Sequence, residues 1–139
     1  MAVATYTKFD KFPLALTEKK HNLTTDQLMI ALTNTAPNAS TAGVLADLTE
    51  VSYTNLSSRV VTTTSNTQTA GVQKLVCADL TITAGPAAGP AMRYAVLYNN
   101  TATNKDLIGF WDYGVSFTPG IGETFLVDFD GTAGVFTTT

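Results

Sequence analysis

Apolar and polar side chains alternate most regularly between Val72 and Ala84. One set of alternate positions is apolar throughout, namely Val76, Ala78, Leu80, Ile82 and Ala84. The opposite set consists of Cys77, Asp79, Thr81 and Thr83. A period of two is typical of a strand with one buried face, and a slip of one residue would expose every apolar group. The pattern therefore predicts one long strand with Cys77 on its wetter face.

Shorter apolar runs predict further strands on both sides of this one. They cover residues 27–33, 59–64, 92–99, 107–113, 124–129 and 135–138. The run 27–33 is apolar on both faces, which indicates burial on both sides. Turn-forming residues separate the runs, and the segment 85–90 is expected to be a hairpin loop or a connection between sheets. Residues 44–51 fit either a helical turn or a strand.

This spacing of short strands is typical of a mainly β, antiparallel sandwich or barrel, and a jelly roll is one form it can take. Ahead of the strands, Phe9, Phe12, residues 14–16 and Leu23 recur among lysines. They predict a short N-terminal helix from about Lys11 to Asn22, with Pro13 in its first turn. Residues 1–6 are expected to form a loose arm. We therefore expect one domain, 1–139, with an arm and helix over 1–23 and a β body over 24–139.

The composition points to a polar surface with few charges. Charged residues make up 14% of the chain, against about 25% in ordinary soluble domains. Threonine, at 25 of the 139 residues, replaces them, and its branched side chain favours strands. A surface with little charge repulsion suits a protein that packs against neighbours, and it equally suits a secreted adhesive or sugar-binding module.

The charges are unevenly distributed along the chain. Residues 8–21 contain Lys8, Lys11, Lys19 and Lys20 against Asp10 and Glu18, a balance of +2. The rest has four basic and nine acidic residues, a balance of −5. A basic arm on an acidic body can dock on an acidic partner, although the lysines can equally serve only to solvate the helix. Nucleic acid is not an expected partner, because the chain is acidic and has no dense basic stripe.

No arrangement of residues indicates catalysis, so we expect no enzyme, no cofactor and no metal. His21 has no nucleophile or carboxylate at catalytic spacing, and a solvated or capping role is expected for it. The single cysteine permits no internal disulfide, and Cys77 is interpreted as structural. The late carboxylates are expected in turns and at edges, with a glycosidase pair or a calcium site as the alternatives. They are Asp106, Asp112, Glu123, Asp128 and Asp130.

The sequence contains no apolar run of membrane-spanning length and no signal-peptide pattern, so we expect no membrane partner and folding in a reducing cytoplasm. Aromatic side chains gather between residues 94 and 117. Strict alternation places Ile108, Phe110 and Asp112 on one side of their strand and Leu107, Trp111 and Tyr113 on the other. We interpret them as core and interface residues, with a sugar-binding platform as the alternative.

Several stretches resemble small virion proteins of tailed bacteriophages. They are Lys20-His-Asn-Leu23, Leu28-Met-Ile-Ala-Leu-Thr-Asn-Thr-Ala-Pro37, Arg93-Tyr-Ala-Val-Leu-Tyr98, Leu107-Ile-Gly-Phe-Trp-Asp-Tyr-Gly114 and Glu123-Thr-Phe-Leu-Val-Asp-Phe-Asp130. The resemblance covers nearly the whole chain. It implies a head decoration, or cement, protein that forms a homotrimer, binds the major capsid protein on the outer lattice, and is assembled into the virion in the host cytoplasm. The alternative is a tail or host-attachment component with a carbohydrate-binding β-sandwich.

The partner-binding residues expected from this interpretation lie in the N-terminal segment and in the aromatic strand. They are Lys8, Phe9, Lys11, Phe12, Lys19, Lys20, Trp111 and Tyr113. If the arm and helix clamp the capsid, deletion of residues 1–12 is expected to leave a folded body that no longer binds.

Overall fold

Antiparallel strands dominate the computed structural model, which describes residues 4–139. Strands contain 43% of the residues and helices 7%, which confirms the predicted mainly β, sandwich-like fold class. The sheets do not close into a barrel. The elements are β1 (Tyr6–Lys8), α1 (Phe12–Thr17), β2 (Leu28–Thr33), a 3-10 helix (Leu45–Asp47), β3 (Val60–Val61), β4 (Thr63–Thr69), β5 (Val72–Cys77), β6 (Leu80–Thr83), β7 (Met92–Asn99), β8 (Leu107–Phe117), β9 (Thr124–Val127) and β10 (Phe136–Thr138).

The strands form three sheets. The largest has five strands in the order β1-β8-β7-β2-β3, a second has the order β10-β5-β4, and the third pairs β6 with β9. The predicted strands β2 and β7 are confirmed. Of the two alternatives for 85–90, the structure has the connection between sheets, from β6 in the two-stranded sheet to β7 in the five-stranded one. The predicted strand at 59–64 is instead divided between β3 and β4, which belong to different sheets.

The long strand predicted from Val72 to Ala84 is wrong, because the chain changes sheets in its middle. β5 and β6 belong to different sheets. At the break, the Asp79 carboxylate accepts a hydrogen bond from the Phe129 backbone N–H at 2.9 Å. The buried face follows odd positions in β5, at Leu75 and Cys77, and even positions in β6 and beyond it, at Ile82 and Ala84. Cys77 is therefore buried, not on the wetter face.

Both faces of the five-stranded sheet are apolar and both are covered. The larger buried cluster lies on the face that carries Leu28, Ile30, Leu97 and Ile108, and includes residues of both smaller sheets. The second cluster occupies the other face and consists of Phe9, Ala31, Ala42, Val96, Tyr98 and Leu107, with Met29, Leu45, Leu48 and Phe110 packed against it. The predicted burial of β2 on both sides is confirmed.

The segment 38–48 covers the second face as a compact loop, and we call it the cover loop. Its closure depends on Asp47, whose Oδ2 accepts hydrogen bonds from the backbone N–H groups of Gly43 at 2.8 Å and Val44 at 3.1 Å. These bonds hold the pKa of the Asp47 carboxyl below its usual value. The loop is joined to the sheet where the Leu107 N–H donates to the Gly43 carbonyl at 2.9 Å. The ambiguous residues 44–51 therefore contain a helical turn.

A β-bulge in β8 changes which residues share a face. Leu97 pairs with Gly109 and Tyr98 pairs with Leu107, so β8 has one extra residue between these two pairs. After a bulge the alternation restarts out of phase. Leu107 and Phe110 therefore both contact the second cluster, whereas Ile108 and Trp111 belong to the first. Strict alternation had placed Leu107 with Trp111 and Ile108 with Phe110, and both assignments are wrong.

The N-terminal segment is part of the β body, not an arm. β1 pairs with β8, with Tyr6 opposite Trp111, and the predicted loose arm is therefore wrong from Tyr6 onward; residues 1–3 lie outside the described residues. The predicted helix is also too long, because α1 spans only Phe12–Thr17. The backbone turns sharply at Lys19, which adopts a positive φ of 63°.

Gly109 allows β1 to sit close against β8, because any Cβ there would overlap the Tyr6 ring. We expect Gly109→Ala to displace Tyr6 and lower the free energy of unfolding by about 1–3 kcal/mol. Gly131→Ala is the matched control, since a Cβ at Gly131 meets nothing within 4 Å. Urea unfolding of both variants tests this expectation, and equal unfolding midpoints would contradict it.

Candidate interaction surface

Two of the eight predicted partner-binding residues are core residues. Phe9 is 0% and Phe12 is 1% exposed. Phe9 packs against Phe110 with ring centroids 5.1 Å apart, and Phe12 packs against Phe136 at 5.4 Å. These side chains cannot contact a partner in the folded protein, so their assignment to a binding surface is corrected.

The same burial changes the expected effect of an N-terminal deletion. Truncating one buried Phe costs about 3–5 kcal/mol, and a domain is stabilised by only about 5–15 kcal/mol in total. Removing residues 1–12 deletes Phe9, Phe12 and the whole of β1. A folded body is therefore not expected from that deletion, and capsid binding has to be tested with surface substitutions.

The four predicted lysines are exposed, but they do not form one unpaired basic patch. The Lys20 ammonium lies 3.7 Å from the Glu18 carboxylate and 3.8 Å from that of Asp106. Lys11 runs along Gly43, so close that a Cβ there would lie 2.7 Å from the Lys11 Cδ. It also lies close enough to Asp47 to help lower the pKa of that carboxyl. Lys11 and Lys20 therefore interact with acidic side chains of the chain itself.

Lys8 and Lys19 differ from the other two lysines. Neither makes an ion pair within residues 4–139, unlike Lys20, and neither contributes to the lowered pKa of Asp47, unlike Lys11. Lys8 is on the edge strand β1, whereas Lys19 lies after α1. They are the two lysines of the predicted set whose charge is available to a partner.

Trp111 and Tyr113 have different environments although they are two residues apart. Trp111 is partly buried, 5.6 Å from the Phe129 ring and 5.4 Å from the Tyr6 ring. Tyr113 is half exposed and leans on Phe117 at 5.0 Å, which in turn contacts Phe125 at 5.5 Å. Of the two predicted contact residues, Tyr113 is the one that offers a ring to a partner.

Exposed apolar side chains concentrate between residues 113 and 126, which we call the distal segment. Four of the seven large hydrophobic residues exposed within residues 4–139 belong to it, namely Tyr113 at 49%, Val115 at 60%, Ile121 at 70% and Leu126 at 50%. The segment has a single charged residue, Glu123. Isolated apolar residues on a surface are ordinary, but low charge with aromatic and aliphatic exposure is typical of the core of a protein interface. Sequence reasoning found Tyr113 and missed the other three.

An ion pair between β7 and β8 lies just before the distal segment. The Arg93 Nε donates to Asp112 Oδ1 at 2.7 Å, and the Arg93 Nη2 donates to Oδ2 at 3.0 Å. Asp112 Oδ1 also accepts from the Gly114 N–H at 2.8 Å, and Gly114 adopts a φ of 99°. These bonds hold the pKa of the Asp112 carboxyl below its usual value, chiefly through Arg93. The pairing of β7 with β8 becomes irregular just beyond this ion pair, because Tyr94 pairs with Asp112 whereas Met92 pairs with Phe117.

His21 is buried in a polar cluster, and the predicted solvated or capping role is wrong. It is 7% exposed, with Phe12 packed edge-on against its ring at 5.2 Å. Its Nδ1 lies 3.1 Å from the Asn99 amide nitrogen. The same nitrogen donates to Asp26 Oδ2 at 2.6 Å. The cluster joins the chain after α1 to the end of β7.

The tautomer of His21 follows from the orientation of Asn99. The Asn99 Oδ1 accepts from the backbone N–H groups of Thr101 and Ala102, at 2.9 and 3.1 Å. The amide nitrogen therefore faces His21 as a donor, so Nδ1 accepts and Nε2 carries the proton. Nε2 is buried without a hydrogen-bond partner within the described part of the chain.

Burial keeps His21 neutral. Desolvation lowers the pKa of His21 and outweighs the opposing charges of Asp106 and Asp26, while Lys20 lowers it further. Protonating Nδ1 would also set a donor against the Asn99 amide. His21 is therefore held as a structural, uncharged ring with no nucleophile among the hydrogen-bond partners of its ring.

The late carboxylates do not converge on one site. Asp112 pairs with Arg93, and Asp106 is buried beside Lys20. Asp130 Oδ1 accepts the backbone N–H groups of Thr132 and Ala133, both at 2.8 Å, which stabilises a turn. Within residues 4–139 no group of three or more His, Cys, Asp or Glu side chains is placed to hold a metal ion. No described helix is long and apolar enough to span a membrane.

Comparison with known proteins found no matching protein-family model, curated protein or solved structure. The resemblance to phage virion proteins therefore stays a prediction made from the residues.

Because the pKa of His21 is lower in the folded state, we expect its burial to make stability depend on pH. Above the pKa of the unfolded chain, about 6.5, both states hold a neutral ring. As the pH falls below that value the unfolded chain takes up the proton first, so the free energy of unfolding decreases until the lower folded pKa is passed. Denaturant unfolding at about pH 7.5 and about pH 5 measures this loss.

The variant His21→Gln, which cannot titrate, is the control for the other ionisable groups. We expect its loss of stability between the two pH values to be smaller than that of the unaltered protein. Equal losses in the two proteins would contradict the assignment.

Proposed function

We propose that this protein is a structural component of a bacteriophage virion, a decoration or cement protein that binds the major capsid protein on the outer head lattice and stabilises the head. It acts as a homo-oligomer, a trimer about a capsid threefold axis, and is assembled in the host cytoplasm. It performs no catalysis and uses no cofactor, nucleic acid or membrane. The resemblance described above supplies the phage setting.

The observation that carries the proposal is the exposed apolar distal segment. A lone domain gains nothing from leaving Val115 and Ile121 more than half exposed, whereas burial against a neighbour stabilises by about 25 cal/mol per Å² of apolar area. The low charge of this surface also spares a partner the desolvation of unpaired ions. The distal segment is therefore our proposed capsid contact.

The lysines have a smaller role in this proposal than in the prediction that the N-terminal segment clamps the capsid. Lys8 and Lys19 supply an attraction to an acidic capsid surface that speeds association and weakens with salt. A decoration protein needs only modest affinity per subunit, because an oligomer engages several equivalent lattice sites at once. The N-terminal segment then stabilises the β body through the buried Phe9 and Phe12 and does not itself bind the capsid.

A first experiment counts copies. Mass measurement of the purified protein in solution gives its oligomeric state, and quantitation in purified particles of the encoding phage gives its stoichiometry. Many copies in multiples of three on the head support the proposal. A few copies located at the tail or a vertex would point instead to a tail or host-attachment component.

We expect Tyr113→Ser combined with Val115→Thr to abolish most binding to undecorated heads while the protein stays folded. Each side chain is exposed, so little core packing is lost, whereas truncation of a central interface residue typically costs more than about 1 kcal/mol. Together they are expected to weaken binding on the order of tenfold or more. Co-sedimentation with heads measures occupancy.

The control is Val60→Thr, the same chemical change at an exposed valine of β3. It is expected to bind normally, and equal occupancy by the double variant and the control would refute the distal segment as the capsid contact. The same proteins applied to a glycan array test the carbohydrate alternative. If the protein binds glycans in a manner that depends on Tyr113 but does not bind phage heads, the result would favour a host-attachment component.

A further inference from the structure

The strand β4 forms the edge of the three-stranded sheet and pairs on one side only. Its partner is β5, and no strand within residues 4–139 pairs with its outer side. The turn between them consists of Ala70 and Gly71, both at positive φ, of 52° and 82°. Two residues in this conformation close a hairpin whose flanking pair, Thr69 and Val72, is hydrogen-bonded.

The hairpin geometry decides which backbone groups of β4 face outward. In an antiparallel pair, hydrogen-bonded and non-hydrogen-bonded positions alternate. Thr69 and Thr67 therefore bond inward to β5, while Gln68 and Asn66 direct their N–H and C=O groups to the open side. These outward groups form a ladder that another strand can complete.

This edge lacks the usual protection against strand addition. Natural edge strands are kept short or carry charge, proline or bulges. The other edge strands of this protein have two to four residues, whereas β4 has seven. Its sequence, Thr-Thr-Ser-Asn-Thr-Gln-Thr, contains neither charge nor proline. The register shift between Thr63 and Ser65 affects only the end nearest the body, and Ser65–Thr69 stays regular.

We propose that β4 is a self-association site, at which β4 of a second copy of this chain adds antiparallel about a twofold axis through Thr67. In this register Thr67 lies opposite its own counterpart and Asn66 lies opposite Gln68. The outward groups of Asn66 and Gln68 then exchange on the order of four backbone hydrogen bonds between the copies. This contact goes beyond capsid decoration and does not depend on it.

Charge identifies the second copy as the occupant. The twofold axis places Thr67 directly opposite the same residue of the second copy, so a charge at that position would repel its counterpart. The whole of β4 is neutral, so no like charges meet in this register, and Thr67 opposite Thr67 is a favourable cross-strand pair. The nearest lysine, Lys74 on β5 opposite Thr67, is also held away from the open edge, because its ammonium donates to the Thr132 carbonyl at 2.9 Å toward the β10 side.

Charge substitution at Thr67 tests the proposal. The Thr67 side chain is exposed, so Thr67→Lys and Thr67→Glu are expected to fold, as circular dichroism can verify. Each alone places like charges directly opposite each other and should raise the dissociation constant of the β4 contact on the order of tenfold. An equimolar mixture of the two variants should restore association by pairing Lys with Glu.

Analytical ultracentrifugation over a concentration series measures the association. The control Thr81→Lys adds the same charge at an exposed position of β6 and is expected to associate like the unaltered protein. Loss in both charge variants with recovery in the mixture establishes self-pairing, even if a separate trimer contact persists in all samples. An unaltered protein that associates no more strongly than the Thr67 variants, or a mixture that fails to recover, would overturn it.

Discussion

Two apolar faces on one sheet are the constraint from which the rest of this structure follows. β2 and β7 carry apolar side chains on both sides, so a single packed layer leaves half of that surface in water. The two smaller sheets cover one face. The cover loop and Phe9 cover the other, and each buried large side chain contributes about 1.5–3 kcal/mol. The N-terminal segment is needed for this second cover, which is why it cannot serve as a detachable arm.

The surfaces proposed for assembly arise where strands extend beyond the layers that cover them. β8 has eleven residues, but β1 pairs only with residues 109–111 of it. Its far end therefore continues into the exposed distal segment. In the same way the β4–β5 hairpin extends beyond Leu75 toward its turn, where residues 67–72 are exposed. Both elements are therefore longer than the core that covers them, and their uncovered ends form surface that does not contribute to the stability of the domain.

Charge has a supporting role in this architecture. Several polar groups act within the chain: Lys11, Lys20 and the Asn99–His21 cluster hold loops against the sheets, and Arg93 joins β7 to β8. Among these groups His21 and Asn99 are buried, and buried polar groups are costly unless they are paired, so this cluster keeps its loops in one position. Few charged residues remain on the outer surface: β4 has none, and the distal segment has only Glu123. Both surfaces therefore favour contacts with other proteins.

The sequence by itself determined the fold class and the positions of β2 and β7, because local alternation and turn residues act over a few positions. It left 85–90 as either a hairpin loop or a connection between sheets, and it named Tyr113 as a contact residue together with Trp111. Tertiary structure alone decided the division of the 72–84 run, the bulge at Ile108 and the burial of Phe9, Phe12 and His21. Alternation shows which side chains share a face, but it does not show what covers that face or where a strand changes sheet. Those outcomes depend on contacts between residues far apart in the chain, such as Phe129 with Asp79 and His21 with Asn99.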